Sequence, residues 1–414
     1  MKRSLFFVGL IMAVASLITF TSSPLLAQVK GPIKIGLIAP LTGGSAFIGR
    51  DMSDGLTLYL EEIGYKVAGR KIEVITEDTE GVPAVALTKT RKLVEKDGVH
   101  VMTGGLLAST GYALQPYIDS KQIPMTYPIM APDDLTQRQR AKWIIRTSWT
   151  SSQHNHPFGE YAYHVLKYRK IATICLDYAF GWEQVGGLQR TFEEAGGKIV
   201  QKIWCPMTVT DFSPYLAQIS KEADAVFAMF FARTALQFAK QYQEFGLKGK
   251  IPVIAGGTTT DEHVLPSMGD EALGFITALH YSAAIDTPVN KRFVKAYREK
   301  EKKVPSYYSE GPYTGVRWIV EAIKAIDGDV ENAAKFLEAL KKVELKDMPR
   351  GPMKLDDYGN PIQNTYIRKV ERVGGELQNT VIHTYPNVSQ FWKYKPEEYL
   401  KLPLYTRDYP PLKP

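Results

Sequence analysis

Residues 100–117 read His-Val-Met-Thr-Gly-Gly-Leu-Leu-Ala-Ser-Thr-Gly-Tyr-Ala-Leu-Gln-Pro-Tyr. Val101, Met102 and Thr103 have the character of a short buried strand. Gly104 and Gly105 end it, and Ser109-Thr110 supplies an N-cap signal for a helix running to about residue 119. A strand, a glycine turn and a helix N-terminus leave free backbone N–H groups and a positive dipole end at one edge of a sheet. Open α/β sheets bind ligands at that edge, and a carboxylate suits it best. Taken alone, such a turn is as readily a tight connection as a binding loop. Its weight comes from neighbours that repeat its geometry.

The repeat extends to both sides. A buried strand at 33–39, a Pro-Leu-Thr-Gly-Gly-Ser turn at 40–45 and a helix at 49–63 precede it, then a strand at 72–76 and a helix at 82–96. A strand at 124–127 ends in the loop 128–132. Strand alternating with helix at this spacing predicts a parallel sheet flanked by helices and wound with right-handed crossovers. Residues 143–147 leave that unit and the pattern restarts. Helices at 153–168, 180–195, 214–221 and 234–245 alternate with strands at 171–176, 198–204, 225–230 and 252–255, and Gly196-Gly197 and Gly246 act as helix stops. Residues 275–281 are expected to cross back to the first unit, ahead of helices at about 289–302, 308–327 and 331–342. A strong turn at 356–361 is flanked by strand-like chain at 367–373 and 381–384. The boundaries predicted are 28–148 plus 277–355 for one lobe and 149–276 plus 356–385 for the other. The tail 386–414, rich in Pro, Tyr and Lys, reads as an extended strap.

The first 27 residues stand apart. Lys2 and Arg3 precede an apolar run from Leu5 to Phe20, and a more polar segment leads to Ala27. This is the pattern of a secretory signal peptide, with the mature chain starting near Gln28 in the periplasm. No other stretch is apolar for long enough to span a bilayer. Removing the two positive charges of the leader from the formal +7 leaves +5, without the basic cluster that nucleic acid would require. The only cysteines, Cys175 and Cys205, each end a predicted strand, so a disulfide and a pair of buried thiols both fit.

At this point the chain resembles the periplasmic solute-binding proteins of ABC importers of the leucine/isoleucine/valine-binding type. The resemblance covers residues 32 to about 385. It rests on Ile-Gly-Leu-Ile-Ala-Pro-Leu-Thr-Gly at 35–43, Gly104-Gly105 with Ser109-Thr110, Pro128 before Ala131-Pro132, Asp177 followed by Phe180-Gly181, and Asp211-Phe212-Ser213-Pro214. The tail motifs at 386–392 and 407–411 look like a branch linked with import of aromatic compounds. The resemblance implies a type I periplasmic binding fold, a Venus flytrap of two lobes with three crossovers, hinged near 147–150, 275–278 and 354–357. It also implies a membrane ABC permease as partner, a monomer, and no cofactor or metal.

The resemblance places the site as well, and this chain departs from the amino-acid binders there. Their serine and threonine positions fall at Ala108 and Ala131, their tyrosine at Phe180, and the loop that carries their acid is Ala255 to Thr260, with no carboxylate before Asp261. An ammonium buried without its counter-charge would cost several kcal/mol. A small aromatic or hydrophobic carboxylate is therefore expected, with a branched-chain or other amino acid, an amide or a urea-like solute as the alternative. The expected ligand-binding residues are Leu107, Ala108, Ser109, Thr110, Ile129, Met130, Ala131, Tyr178, Phe180, Phe231, Arg233, Gly257 and Thr258. Phe47, Leu106, Trp149, Trp182 and Phe230 are further apolar wall candidates, and Arg233 a bidentate partner for the carboxylate.

Enzyme readings are weak. Residues 107–111 match only the second half of a nucleophile elbow, and no phosphate loop or dinucleotide fingerprint is present. His154 and His156 could share one face of an extended segment, but no third metal ligand accompanies them.

Overall fold

The computed structural model describes residues 30–413; the expected signal peptide and its cleavage point lie outside them. The first sheet has six strands, in the order β2 (Lys66–Val67), β3 (Arg70–Asp78), β1 (Ile33–Ala39), β4 (Val101–Gly104), β5 (Met125–Tyr127) and β6 (Ile144–Arg146). All pairs but β2–β3 are parallel, with Ile35 opposite both Val74 and Val101. Helices α1 (Ala46–Glu62), α2 (Pro83–Arg91) and α3 (Ala108–Lys121) connect its strands. Buried on both faces, the central strands β1 and β4 read as largely apolar runs, broken by Lys34 and Thr103, instead of alternating ones.

The second sheet is built around β7 (Lys170–Leu176), β8 (Lys198–Cys205), β9 (Ala225–Met229), β10 (Val253–Gly256) and β11 (Ile276–Leu279), which pair in parallel in the order β11-β10-β9-β7-β8. Helices α4 (Asn155–His164), α5 (Ala179–Glu194), α6 (Ser213–Leu216) and α7 (Ala232–Glu244) belong to this half. Strand β11 lies inside this sheet, so the chain returns to the first half only after it. It does so through α8 (Pro288–Glu301), α9 (Tyr307–Ala325) and α10 (Ala333–Lys342), with α9 packed along α1. The short β12 (Glu344–Leu345) and β13 (Met353–Leu355) lead into β14 (Pro361–Val373) and β15 (Glu376–Val388), a long antiparallel hairpin whose first strand pairs with β11. The strand-like chain expected at 367–373 and 381–384 thus grows into two strands of 13 residues each. The helix expected at 214–221 shrinks to α6. Cys175 and Cys205 are free and buried on adjacent strands.

Beneath the two halves lies a buried polar layer where the chain passes between them. Arg146 donates to Thr136 Oγ1 at 2.7 Å and Asn360 Oδ1 at 2.8 Å, and also to the Pro132 carbonyl. Arg350, fully buried, donates from Nε to both oxygens of Glu310 at 2.9 and 2.8 Å and from Nη1 to Thr147 O at 3.1 Å. Gln153 donates to the Pro361 and Val388 carbonyls, each at 2.8 Å. Side by side, these groups satisfy the irregular backbone that a crossover exposes.

The first residues of the tail belong to β15, and the chain beyond it contains the short α11 (Pro396–Tyr399) and contacts both halves. Gln390 donates to Thr136 O at 3.1 Å and Arg138 to Leu402 O at 2.9 Å, on the first half. On the second half, Trp392 donates to Glu160 at 3.1 Å and Gln189 to Pro411 O at 2.9 Å, while Arg190 lies 5.3–5.6 Å from the ring centres of Tyr394, Tyr399 and Tyr405. No helix among the described residues is long and apolar enough to cross a membrane.

Candidate functional site

The loop after β4 turns because nothing larger than glycine fits. A Cβ on Gly104 would meet Ile38 O at 2.2 Å, and one on Gly105 would meet the Met130 side chain at 2.4 Å; both have positive φ, +104° and +84°. Helix α3 begins earlier than Ser109-Thr110 suggests: its first residue is Ala108, and the N-cap is Leu107 in extended conformation with no side-chain cap. Ser109 and Thr110 therefore lie in the first turn, where the amides have no partner within the helix. The same arrangement recurs across the cleft. Helix α5 has Tyr178 as its N-cap, again without a side-chain hydrogen bond. Side chains cap α8, α9 and α10 (Thr287, Ser306 and Asn332), whereas α1, α2 and α4 also start without one.

These helix starts converge on one cleft at the carboxyl ends of both sheets. It is lined by Leu106, Leu107, Ala108, Ile129 and Ala131 from the first half, and by Tyr178, Phe180, Phe231 and Thr258 from the second. Trp149, on the crossover, and Tyr307 and Tyr308, at the start of α9, complete the wall. The rings form a continuous surface. Trp149 meets Phe180 edge-on at 5.5 Å, Tyr178 sits 6.0 Å from Phe180 and 6.4 Å from Phe231, and Tyr307 and Tyr308 lie 4.0 Å apart. The walls leave a cavity of only about 20 Å³ between them. The rings thus nearly touch, and a ligand of benzene-ring size enters only if the walls part.

No lining residue is charged. The nearest acid in the loop after β10, Asp261, is already engaged: Oδ1 contacts His263 Nδ1 at 2.6 Å and Oδ2 accepts from the Tyr307 N–H at 3.3 Å. Burial raises the phenols of Tyr178 and Tyr307 well above their usual range, so they stay protonated donors at any working pH. Thr258 donates its hydroxyl to Phe230 O at 2.8 Å, which fixes it as an acceptor toward the cleft.

Residues 32–376 match the family of periplasmic binding proteins. The chain belongs to that family. Leu/Ile/Val-binding protein homolog 6 of Brucella melitensis is 32% identical over 361 residues, 85% of this chain and 91% of that one. An ABC transporter substrate-binding protein from Sphaerobacter thermophilus is 36% identical with a TM-score of 0.82, covering 87% of this chain and 99% of that one. A solute-binding protein of an ABC transporter from Rhodopseudomonas palustris BisB5, in complex with 3,4-dihydroxybenzoic acid, is 34% identical with a TM-score of 0.83, covering 87% and 98%.

In this periplasmic binding protein the cleft gathers Leu107, Ala108, Ile129, Ala131, Tyr178, Phe180, Phe231 and Thr258 of the residues expected from sequence, with Ser109 and Thr110 directly behind. Met130 points the other way, into the core of the first half against Gly105, because neighbours in extended chain face opposite sides. Gly257 faces Leu279, and its carbonyl accepts from Arg368 at 2.7 Å. Arg233 is exposed in the first turn of α7 and is absent from the lining. Of the wider wall candidates, Phe230 is buried against Phe212 and Phe238, Phe47 stacks on His263, and Trp182 donates to Asp177 at 2.8 Å. His154 and His156 are fully buried and diverge, to Thr365 Oγ1 at 2.7 Å and the Tyr405 hydroxyl at 3.2 Å. Tyr307 and Tyr308 escaped the sequence reading. The available signal was a Ser306 cap followed at once by two aromatic residues.

Proposed function

We propose that this periplasmic binding protein is the extracytoplasmic component of an ABC importer, capturing a small aromatic carboxylate between its lobes and handing it to a membrane permease. The single observation that carries this reading is a cleft walled by six aromatic rings, with no charged side chain and an uncapped helix N-terminus at one end. The carboxylate would take the amides of Ala108, Ser109 and Thr110, with the dipole of α3 behind them. The ring would lie among Trp149, Phe180 and Tyr307. The lobes are the two halves read from the sequence, with β11 assigned to the second; they would hinge at the crossovers to admit the ligand. The dihydroxybenzoate held by the Rhodopseudomonas relative supports the same ligand class. No His, Cys, Asp, Glu or Lys lines the cleft, which favours binding over chemistry, and the protein would act as a monomer.

Burying a phenyl-sized group at roughly 25 cal/mol per Å² contributes a few kcal/mol, and charge-assisted hydrogen bonds add about 1.5–3 more. After association costs these terms are compatible with micromolar binding. Calorimetry with benzoate or 4-hydroxybenzoate, the methyl ester and leucine tests the reading. The acids should bind, the ester should lose most of the affinity, and leucine should be silent. Tight leucine binding would overturn it in favour of the amino-acid alternative.

A further inference from the structure

Beside the cleft lies a pair of carboxyl groups that ligand binding does not use. Asp133 is two residues beyond Ala131, in the 3-10 turn Asp133–Thr136 of the first half. Glu183 is three residues beyond Phe180, on α5 of the second half. Each is only 4% exposed. Glu183 Oε1 accepts from the Tyr112 hydroxyl at 2.9 Å and from the Asp133 N–H at 3.2 Å, both across the cleft. Asp133 Oδ1 accepts from the Ser152 N–H at 3.1 Å. That leaves Asp133 Oδ2 and Glu183 Oε2, both buried and neither with a donor.

We propose that Asp133 and Glu183 form a proton-sharing latch between the lobes, so that closure on the ligand takes up a proton from solvent. The inference rests on the two-lobe capture described above. Two carboxylates buried side by side repel, and one proton on the pair removes one of the two charges. That proton comes from water through the cavity of about 320 Å³ that the pair lines together with Tyr112 and the Leu404, Tyr405 and Thr406 stretch of the strap.

The surroundings favour the protonated pair. Burial, and after it the charge of Asp133, holds Glu183 well above the usual carboxylate range; burial pushes Asp133 up to about 6, with Asp134 adding to the effect. Asp134 is paired with Arg138 at 3.0 Å. Arg146 attracts both carboxylates, but its hydrogen bonds go to Thr136, Asn360 and Pro132. Tyr112, Tyr178, Tyr399 and Tyr405, the other titratable groups around the pair, are held neutral by burial. The Ser151 hydroxyl donates to Ala131 O at 2.6 Å, and the Ser152 N–H favours ionised Asp133 without outweighing burial.

The sign follows. With the lobes apart, both groups are solvated and titrate near an ordinary ~4. Closing raises them, so between that value and the raised one the closed form binds the extra proton. Affinity is then highest at low pH and falls as pH rises, by up to about tenfold per unit, levelling above the raised value.

Calorimetry with benzoate between pH 5.5 and 8, in buffers of differing ionisation enthalpy, tests the latch. Wild type should take up close to one proton and bind at least about tenfold more weakly at pH 8 than at pH 5.5. Glu183→Gln keeps the acceptor for Tyr112 and Asp133 and removes one of the two titrating groups. Above about pH 7, beyond the value of about 6 to which burial pushes Asp133, it should bind with the same affinity throughout and take up no proton, whereas Glu183→Ala should bind weakly at every pH. Wild-type binding without proton uptake, or an undiminished slope in Glu183→Gln, overturns the latch and leaves the capture reading intact. If benzoate binds at no pH, the ligand assignment fails, and scattering from ligand-free protein judges the latch. The radius of gyration should be smaller at pH 5.5 than at pH 8 in wild type and should change much less in Glu183→Gln. A pH-independent wild type overturns it.

Discussion

The ligand cleft and the crossover layer beneath it are both shielded from water, yet they are built on opposite principles. The cleft has no charged side chain and leaves helix amides open, so its walls gain most when something fills it. In the crossover layer Arg146, Arg350 and Gln153 are knitted to backbone carbonyls that lost their own partners. The first is poised for a guest, and the second is held by its own side chains. Deleting a group should therefore cost affinity in the cleft and stability in the crossover layer.

The largest effect is expected from Arg350→Ala. It strands the fully buried Glu310 carboxylate and the Thr147 carbonyl, and should lower unfolding stability by about 3–5 kcal/mol, read from a urea titration. A loss below about 1 kcal/mol would mean that water can replace the arginine and that the two regions do not differ as described. Ala108→Asp makes the complementary test. A carboxylate there sits where the ligand anion is expected, so benzoate affinity should drop at least tenfold, about 1.4 kcal/mol. Ala108 is buried, so the dipole of α3 offsets only part of the cost of desolvating the new carboxylate, and stability should fall by roughly 1–2 kcal/mol, less than in Arg350→Ala. Unaltered affinity would move the carboxylate to another part of the cleft. The smallest effect belongs to Arg233→Ala: its exposed position predicts benzoate affinity within about twofold of wild type by calorimetry. A tenfold loss would show that the guanidinium swings into the bound cleft.

The alternation of strand and helix made the fold legible, because central parallel strands such as β9 and β10 are apolar on both faces and separated by helix-length segments. The glycine turn at 104–105 was legible for a local reason: no side chain fits between Ile38 and Met130. What depends on contacts distant in sequence was not. Tyr307 and Tyr308 reach the cleft from the start of a helix whose sequence reads as ordinary core. β11 looked like a return to the first half because its pairing partner β14 comes some ninety residues later. Met130 and Arg233 share an apolar or basic character suited to a ligand, but side-chain direction, which composition does not encode, turns one inward and the other out. The helix start was misplaced because Ser109 and Thr110 are usual caps, whereas this site caps α3 with Leu107.

The two native thiols have a practical consequence. Cys175 and Cys205 are wholly buried, and burial pushes Cys175 well above the usual thiol range and Cys205 up to about 12, so reactive thiolate is scarce. A single cysteine introduced on the cleft rim, such as Arg233→Cys, would then accept a fluorophore alone, without prior removal of the native pair. The protein is in this sense already a scaffold for an optical reporter whose dye sits two residues from the aromatic wall.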